Sequence, residues 1–493
     1  MPSAMLTTSS AKRMSTIPTS SPKGIRCADR VPIYKERSIK QEENKMKKII
    51  SLALAAALTA SLAGCASSDA ASTASSTAPA TSTAESTADG SASSGDTIKI
   101  GVLTDRSSAA AATVTWAEAG AILALEEENE AGGLNGKQFE LVYRDTASDS
   151  ANVAQKATEL VNEGCIAILG PKSDGEAPTG ATWAEENKFP MVTPCTMNTR
   201  VTIENASKYM FSCGFVAWPI AKMNAKYAAD QGYNSAFFIG NDGGASGDSR
   251  DFFYYELGDG FQNLGSNQVS SNSTEFSTII SSVVGKDPDV IIGAVAGPNF
   301  VSLVNQGQQF GLWDICDYLG WYTCDSTNTQ SLAEAGNYPY GKVHGVDLWP
   351  FWMDEIDGNA EFVQRYSEIG KEYFDKDILP SDMGYTWYVG IKAICEAAKT
   401  TADDLSPEAM TNALSNVHFS TLYGDDLYFR DFDHTMAHAY YYVTAVEDTT
   451  GKWSIPVGDV YAVYEGDEML PTKEEMEEYA SKNNYTFTDL SAK

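Results

Sequence analysis

The sequence predicts an α/β fold built on parallel sheets and divided into two lobes, and three observations carry that prediction. From residue 98 onward, short apolar runs alternate with longer helical runs, the pattern of repeated strand–helix–strand units. The same rhythm starts again after residue 215 at a similar spacing. The chain of 493 residues also exceeds what one hydrophobic core ordinarily spans.

Residues 98–103 (IKIGVL) read as the opening strand, and 116–129 as the helix that follows. Gly132-Gly133 and Asn135-Gly136 stop that helix and turn the chain into a strand over 139–143. A helix over 150–162 and a strand over 166–169 come next, then a helix through 183–187 and a strand over 189–193. Ligands of such sheets sit beyond the carboxyl ends of the strands, which points to the loops after Leu103 and Leu169. The second half opens near Phe215, with a helix over 219–231 and a strand over 235–239. A Gly/Asp-rich loop, 240–248, leads into a helix over 250–264. Then come a strand over 290–294, a helix over 299–310 and a strand over 318–320. Residues 353–373 and 386–401 read as long helices, 440–446 and 453–464 as a late hairpin, and 473–481 as a charged terminal helix.

The net charge of −31 is unevenly spread. The first 64 residues hold 11 Lys+Arg and 4 Asp+Glu, so the remainder holds 24 and 62, a net of −38. Nucleic acid and anionic membrane are poor partners for such a surface, and solubility is the plain reading of it. Six cysteines (Cys165, Cys195, Cys213, Cys316, Cys324, Cys395) are scattered through the folded part with no Cys-x-x-Cys pair, so no metal site is expected. Disulfides and buried thiols both remain open for them.

Met46-Lys47-Lys48 begins a basic segment, followed by the apolar run 51–58 and by Leu62-Ala63-Gly64-Cys65. A basic start, a short apolar run and small residues before a cleavage point make a secretory signal over 46–64, too short to span a bilayer. Leu-Ala-Gly-Cys resembles the bacterial lipobox, which implies that Cys65 is lipidated and becomes the first mature residue. Residues 1–45 read as an extension through a mis-assigned start. Residues 65–96 are Ser/Thr/Ala-rich and bury too little apolar surface to offset their ordering entropy, so they read as a lipid-anchored linker.

Four segments carry a resemblance to a known family. They are residues 98–103, 126–136 (EEENEAGGLNG), the Leu169-Gly-Pro-Lys-Ser173 loop and Pro190-Met-Val-Thr-Pro194. Together they resemble the branched-chain amino-acid-binding proteins, the type I periplasmic binding proteins of ABC importers. The likeness covers about residues 97–460 and is strongest up to Phe211; beyond, mainly the strand–helix order with Gly293, Gly311 and Gly320 fits. It implies two three-layer α/β/α Rossmann-like lobes joined by three crossover segments. Lobe 1 would be 97–215 with 344–440, lobe 2 would be 216–343 with 441–464, and 465–493 would be a C-terminal extension. A small ligand would be held in the cleft and passed to an ABC permease by a monomer that reaches the membrane only through its lipid anchor.

The resemblance also nominates the pocket. The loop after 166–169 supplies ligand contacts in the family, and here Asp174 falls where many members have serine, with Ser173 beside it. In the second family segment, Thr193-Pro194-Cys195-Thr196-Met197, Met197 takes the slot of a ligand-binding threonine, which leaves Cys195 and Thr196 as candidates. The family's amino-binding glutamate falls near Tyr322, with Asp325 three residues on, and Trp116 lies near the aromatic lid. Each has a plainer alternative. Ser173 and Asp174 are favoured helix N-caps, Cys195 and Thr196 can be strand-end packing, and Trp116 can be core. The departures favour a small polar ligand, an amide or amine, over a plain branched-chain amino acid.

An enzyme is disfavoured. Gly247-Asp248-Ser249 lacks the Gly-x-Ser-x-Gly context, and His434 and His438 lack a third ligand or an interposed Glu. No cofactor is implied. A sensory or regulatory ligand-binding lipoprotein of the same fold is the alternative function.

Overall fold

The computed structural model describes residues 97–492, except 109–110, 112, 196 and 271–272. The 1–45 extension, the 46–64 signal, Cys65 and the linker therefore lie outside the described residues, as does Thr196.

A five-stranded parallel sheet comes first. It contains β1 (Ile98–Thr104), β2 (Phe139–Asp145), β3 (Ile168–Leu169), β4 (Met191–Cys195) and β5 (Met210–Phe215), in the order β2-β1-β3-β4-β5. Helices α1 (Val114–Glu130), α2 (Ser150–Asn162) and α3 (Ala177–Asn187) connect its strands. Alternate strand residues feed opposite faces. Ile98, Ile100 and Val102 join the core that contains α1, whereas Leu103 packs with Val153, Ala157 and Leu160 of α2. The Asp149 carboxylate caps α2 by accepting the Ala151 N–H at 2.9 Å.

The chain then builds α4 (Ala217–Gln231), β6 (Ser235–Asn241), α5 (Gly244–Leu257), β7 (Gln262–Val269), α6 (Ser277–Lys286) and β8 (Val290–Ala294). It continues through α7 (Pro298–Gln309), β9 (Asp317–Trp321), α8 (Ser326–Glu334) and β10 (Val343–Asp347). Next come α9 (Asn359–Phe374), α10 (Asp382–Thr400), α11 (Pro407–Leu414) and a small antiparallel sheet of β11 (His418–Thr421), β12 (Gly424–Phe429) and β13 (Met436–Ala437). Finally β14 (Tyr440–Val446) and β15 (Val457–Tyr464) precede α12 (Lys473–Asn483). The second sheet runs β15-β14-β10-β9-β8-β6-β7, parallel from β7 to β10 and antiparallel at β14 and β15.

Although α10 follows β10 of the second sheet, it packs on α1 and on β4 and β5 of the first. Two glycines permit this approach, because a Cβ on Gly120 would lie 1.8 Å from the Gly384 carbonyl oxygen.

Several predicted boundaries move. The helix expected over 250–264 is Gly244–Leu257; Gly258, at φ 68°, ends it and frees 262–269 to form β7. That edge strand buries only Val269, so it shows no apolar alternation. The helix expected from 353 begins at Asn359, whose side-chain amide instead donates to the Phe351 and Met353 carbonyls at 3.0 and 2.9 Å. The second hairpin strand begins after Pro456, which has no N–H for the ladder. All six cysteines of the folded part are free thiols. Among the described residues no helix is long and apolar enough to cross a membrane, and no cluster of His, Cys, Asp or Glu is placed to hold a metal ion.

Candidate ligand-binding site

Strand ends of both sheets supply the site. On the first sheet, β1 delivers Asp105, fully buried, into a polar network. The Ser148 hydroxyl donates to Asp105 Oδ2 at 2.7 Å, and the Lys172 ammonium lies 3.4 Å from both carboxylate oxygens. Glu176 is buried beside them. The nearby Thr146 hydroxyl donates to the Thr104 carbonyl, no cation is paired with Glu176 among the described residues, and burial raises the Glu176 carboxyl. One layer down, Glu118 accepts from Arg106 through both oxygens, at 2.8 and 2.7 Å, and from the Thr104 hydroxyl at 2.8 Å. That pairing raises Arg106 further above its usual value.

Asp174 and Cys195 occupy the neighbouring strand ends, after β3 and at the end of β4, both half-buried. Asp174 Oδ1 accepts the Asn198 N–H at 2.9 Å, so it braces the loop after β4. Burial pushes Asp174 up to about 7, with the Asp248 charge adding to the rise. Burial, and then the Asp174 charge, pushes the Cys195 thiol up to about 12. Ser173 makes no cap hydrogen bond; its hydroxyl donates to Ser148 Oγ at 3.4 Å and so joins the Asp105 network. Met197 is turned into the core.

From the second sheet, Tyr322 follows β9 and packs edge-on against Phe215 at the end of β5, with ring centroids 4.6 Å apart. Its φ of 52° is left-handed, an unusual state for a bulky residue, and aims the side chain across the sheet ends. Burial raises its hydroxyl far above 10, and the next contributions come from Cys195, Asp325, Asp382 and Asp174. Asp174, Cys195, Tyr322 and Asp325 thus form one electrostatic neighbourhood, drawn from both sheets. Trp116 has other partners. The Lys376 ammonium lies 5.9 Å from its ring centroid, Tyr366 donates to its carbonyl at 3.0 Å, and its buried indole N–H has no hydrogen-bond partner among the described residues.

Asp325 is almost fully buried and occupied by the chain itself. It caps α8 through the Thr327 N–H at 2.8 Å and accepts Ser381 Oγ at 2.9 Å and the Asp382 N–H at 2.8 Å. Asp382 accepts the Leu348 and Trp349 N–H groups, both at 2.9 Å, and Asp347 accepts the Cys324 N–H at 3.0 Å. Asp347 and Asp382 lie within hydrogen-bonding reach of each other. No cation is paired with any of the three among the described residues. Burial raises all three carboxyls, Asp347 to about 7, and neighbouring carboxylate charges add to the rise of Asp347 and Asp382.

The sheets also meet at the turn after β4. Asp248 Oδ2, on α5, accepts the Thr199 N–H at 2.9 Å, next to the Asn198 N–H that Asp174 holds. Sequence reading assigned no role to Asp105, Glu176, Asp347 or Asp382, and weighed Asp248 only within the rejected Gly247-Asp248-Ser249 motif. The first follows a strand end and Asp248 sits in the Gly/Asp-rich loop, so position was an available signal for both. Nothing local marks Asp347 or Asp382.

Known proteins agree with this architecture. A family profile described as periplasmic binding protein matches residues 97–451. A Leu-, Ile-, Val-, Thr- and Ala-binding protein of Pseudomonas aeruginosa is 30% identical over 109 residues, 22% of this chain and 29% of that protein. A Leu/Ile/Val-binding protein homolog of Brucella abortus is 24% identical over 341 residues, 66% of this chain and 85% of its own length. The chain thus spans about half or less of the first curated relatives it matches. An ABC-transporter solute-binding protein of Rhodopseudomonas palustris, solved with 3,4-dihydroxybenzoic acid, superposes with a TM-score of 0.65 at 18% identity, over 75% of this chain and 98% of that one. The profile spans well over half of the chain and assigns it to the periplasmic binding proteins, and strand order and superposition show the type I fold.

Proposed function

We propose that the chain is the extracytoplasmic, lipid-anchored solute-binding component of an ABC importer. It captures an amino acid or a related small polar compound, an amide or amine, and delivers it to the permease. The observation that carries this reading is the convergence of Asp174 and Cys195 from one sheet with Tyr322 from the other. Each sheet, with its helices, would act as a lobe that closes on the ligand, because only the closed state touches it from both sides.

Charge favours a donor-bearing ligand. The cations on the first-sheet edge are committed, Lys172 to Asp105 and Arg106 to Glu118. A ligand carboxylate about 4 Å from ionised Asp174 meets roughly 4 kcal/mol of repulsion at an effective dielectric of 20. With Asp174 raised to about 7, its protonation costs under about 1 kcal/mol at neutral pH, so an acid would bind with uptake of a proton. An amide or amine donates to Asp174 without that uptake. Aromatic acids and branched-chain amino acids, named for the relatives, are the competing ligands.

A thermal-shift screen of amino acids, amides, amines and aromatic acids against the wild type and Asp174→Asn tests the ligand class. Amides or amines are expected to stabilise the wild type and to lose most of that effect in the variant. Micromolar binding of leucine or valine that Asp174→Asn leaves unchanged would refute it. The anchor is tested by Cys65→Ala, which should move the protein from the membrane to the medium, since stable anchoring needs the acyl chains. Unchanged membrane association removes the lipoprotein assignment.

A further inference from the structure

Residues 452–492 lie beyond the family match yet are tightly engaged. Helix α12 begins with a capping box in which Thr472 and Glu475 satisfy each other's backbone N–H groups. Its Tyr479 is buried among Trp218 on α4 and Phe252 and Tyr255 on α5, with ring centroids 4.7 to 5.2 Å away. Glu475 pairs with Lys222 of α4 at 3.0 Å, and the Lys482 ammonium lies 5.0 Å from the Tyr255 ring centroid. One end of the segment is therefore fixed to the helices of the second sheet.

The other end is fixed elsewhere. The Thr488 N–H donates to the Ile203 carbonyl at 2.9 Å, and its hydroxyl donates to the Glu204 carbonyl at 3.0 Å. Both carbonyls belong to the turn between β4 and β5 of the first sheet. The Leu490 N–H donates to Phe432 at 3.0 Å, in the turn before His434, whose carbonyl accepts the Ser212 N–H of β5 at 2.9 Å. Lys473 and Asp489 join the two ends of the segment to each other. Between them, Leu470 and Met476 line one small cavity with Met197 and Thr199, directly behind the turn that Asp174 and Asp248 grip.

We infer that residues 470–490 form a strap that limits how far the two sheets can part. Separating them requires either lifting Tyr479 from its aromatic seat or breaking the Thr488 and Leu490 hydrogen bonds. The tail bonds are few and lie at the chain end, so they yield first. The strap acts on the ligand-free protein, whatever the ligand is.

Spin labels on Glu186→Cys (α3) and Lys286→Cys (α6), both exposed, report the separation in ligand-free protein by pulsed dipolar spectroscopy. With the tail intact the distance distribution is expected to be narrow. Truncation after Asn484 should widen it and add a longer-distance component. Thr488→Pro removes both Thr488 bonds while leaving Tyr479 seated, and should give a smaller widening in the same direction. A Thr488→Pro distribution superimposable on the parent overturns the strap, whatever truncation does to folding. Failure of every ligand in the thermal-shift screen would bear on the binding reading alone.

Discussion

The two strand-end edges of the site both bury several carboxylates but treat them differently. On the first sheet, Asp105 faces Lys172 and Glu118 faces Arg106. On the second, Asp325, Asp347 and Asp382 are met by backbone N–H groups and hydroxyls. A cation offsets a buried negative charge outright, whereas an N–H group supplies only a partial charge. Burial of three neighbouring carboxyls on N–H groups alone shifts all of them towards their protonated forms. Ion pairing therefore sets the Asp105 and Glu118 part of the first edge, whereas burial without a cation shifts the second edge, like Asp174 and Glu176, towards protonation.

Breaking the pairing should give the largest effect. Lys172→Met leaves Asp105 buried beside the Glu176 carboxyl, and loss of one partner of a buried pair costs about 3–5 kcal/mol. Urea unfolding at neutral pH measures it, and a loss under about 1 kcal/mol would mean that the pair contributes no more than a surface one.

The second edge should respond to pH. Asp347 is raised to about 7 in the folded chain against about 3.9 unfolded, so the folded state holds the extra proton. Its contribution to stability is fully present below about pH 3.9 and declines as pH rises towards 7. The slope is at most about 1.4 kcal/mol per unit, and the change flattens above that range. Asp382 and Asp325 share in this response, because the Asp325 charge and the Asp382 hydrogen bond both act on Asp347. Urea midpoints across this window should fall with rising pH in the wild type and flatten in Asp347→Asn. Parallel curves for the two proteins would contradict the shared proton.

The smallest effect is expected from Asp382→Asn. Its amide oxygen can still accept the Leu348 and Trp349 N–H groups, and its NH₂ can donate to Asp347 as the retained proton does. The stability change at neutral pH should stay within about 1 kcal/mol. A loss as large as that of Lys172→Met would mean that Asp382 is ionised in the folded chain and that the two edges do not differ.

Much of the fold was legible because buried parallel strands announce themselves. The strand Val290–Ala294 and the helix Ser150–Asn162 fall at their predicted bounds, since their apolar residues lie on faces that must be covered. Edge strand β7 and helix α8 were silent. One buries a single residue, and the other is polar and begins at the Asp325 cap, a feature whose use depends on the fold.

The sequence by itself determined the alternation of strands and helices, the turns at Gly132-Gly133 and Asn135-Gly136, and the family. All of these follow from local periodicity and from motifs of a few residues. Tertiary structure alone decided which charges are paired. Asp105 meets Lys172 across 67 positions and Asp325 meets Asp382 across 57, and their protonation depends on burial among distant neighbours. It also decided that Asp174 braces Asn198 and that the terminal segment ties the two sheets together. The physical reason is range: backbone preferences act over one or two helical turns, whereas desolvation and Coulomb energies are set by whatever the fold brings within a few ångströms.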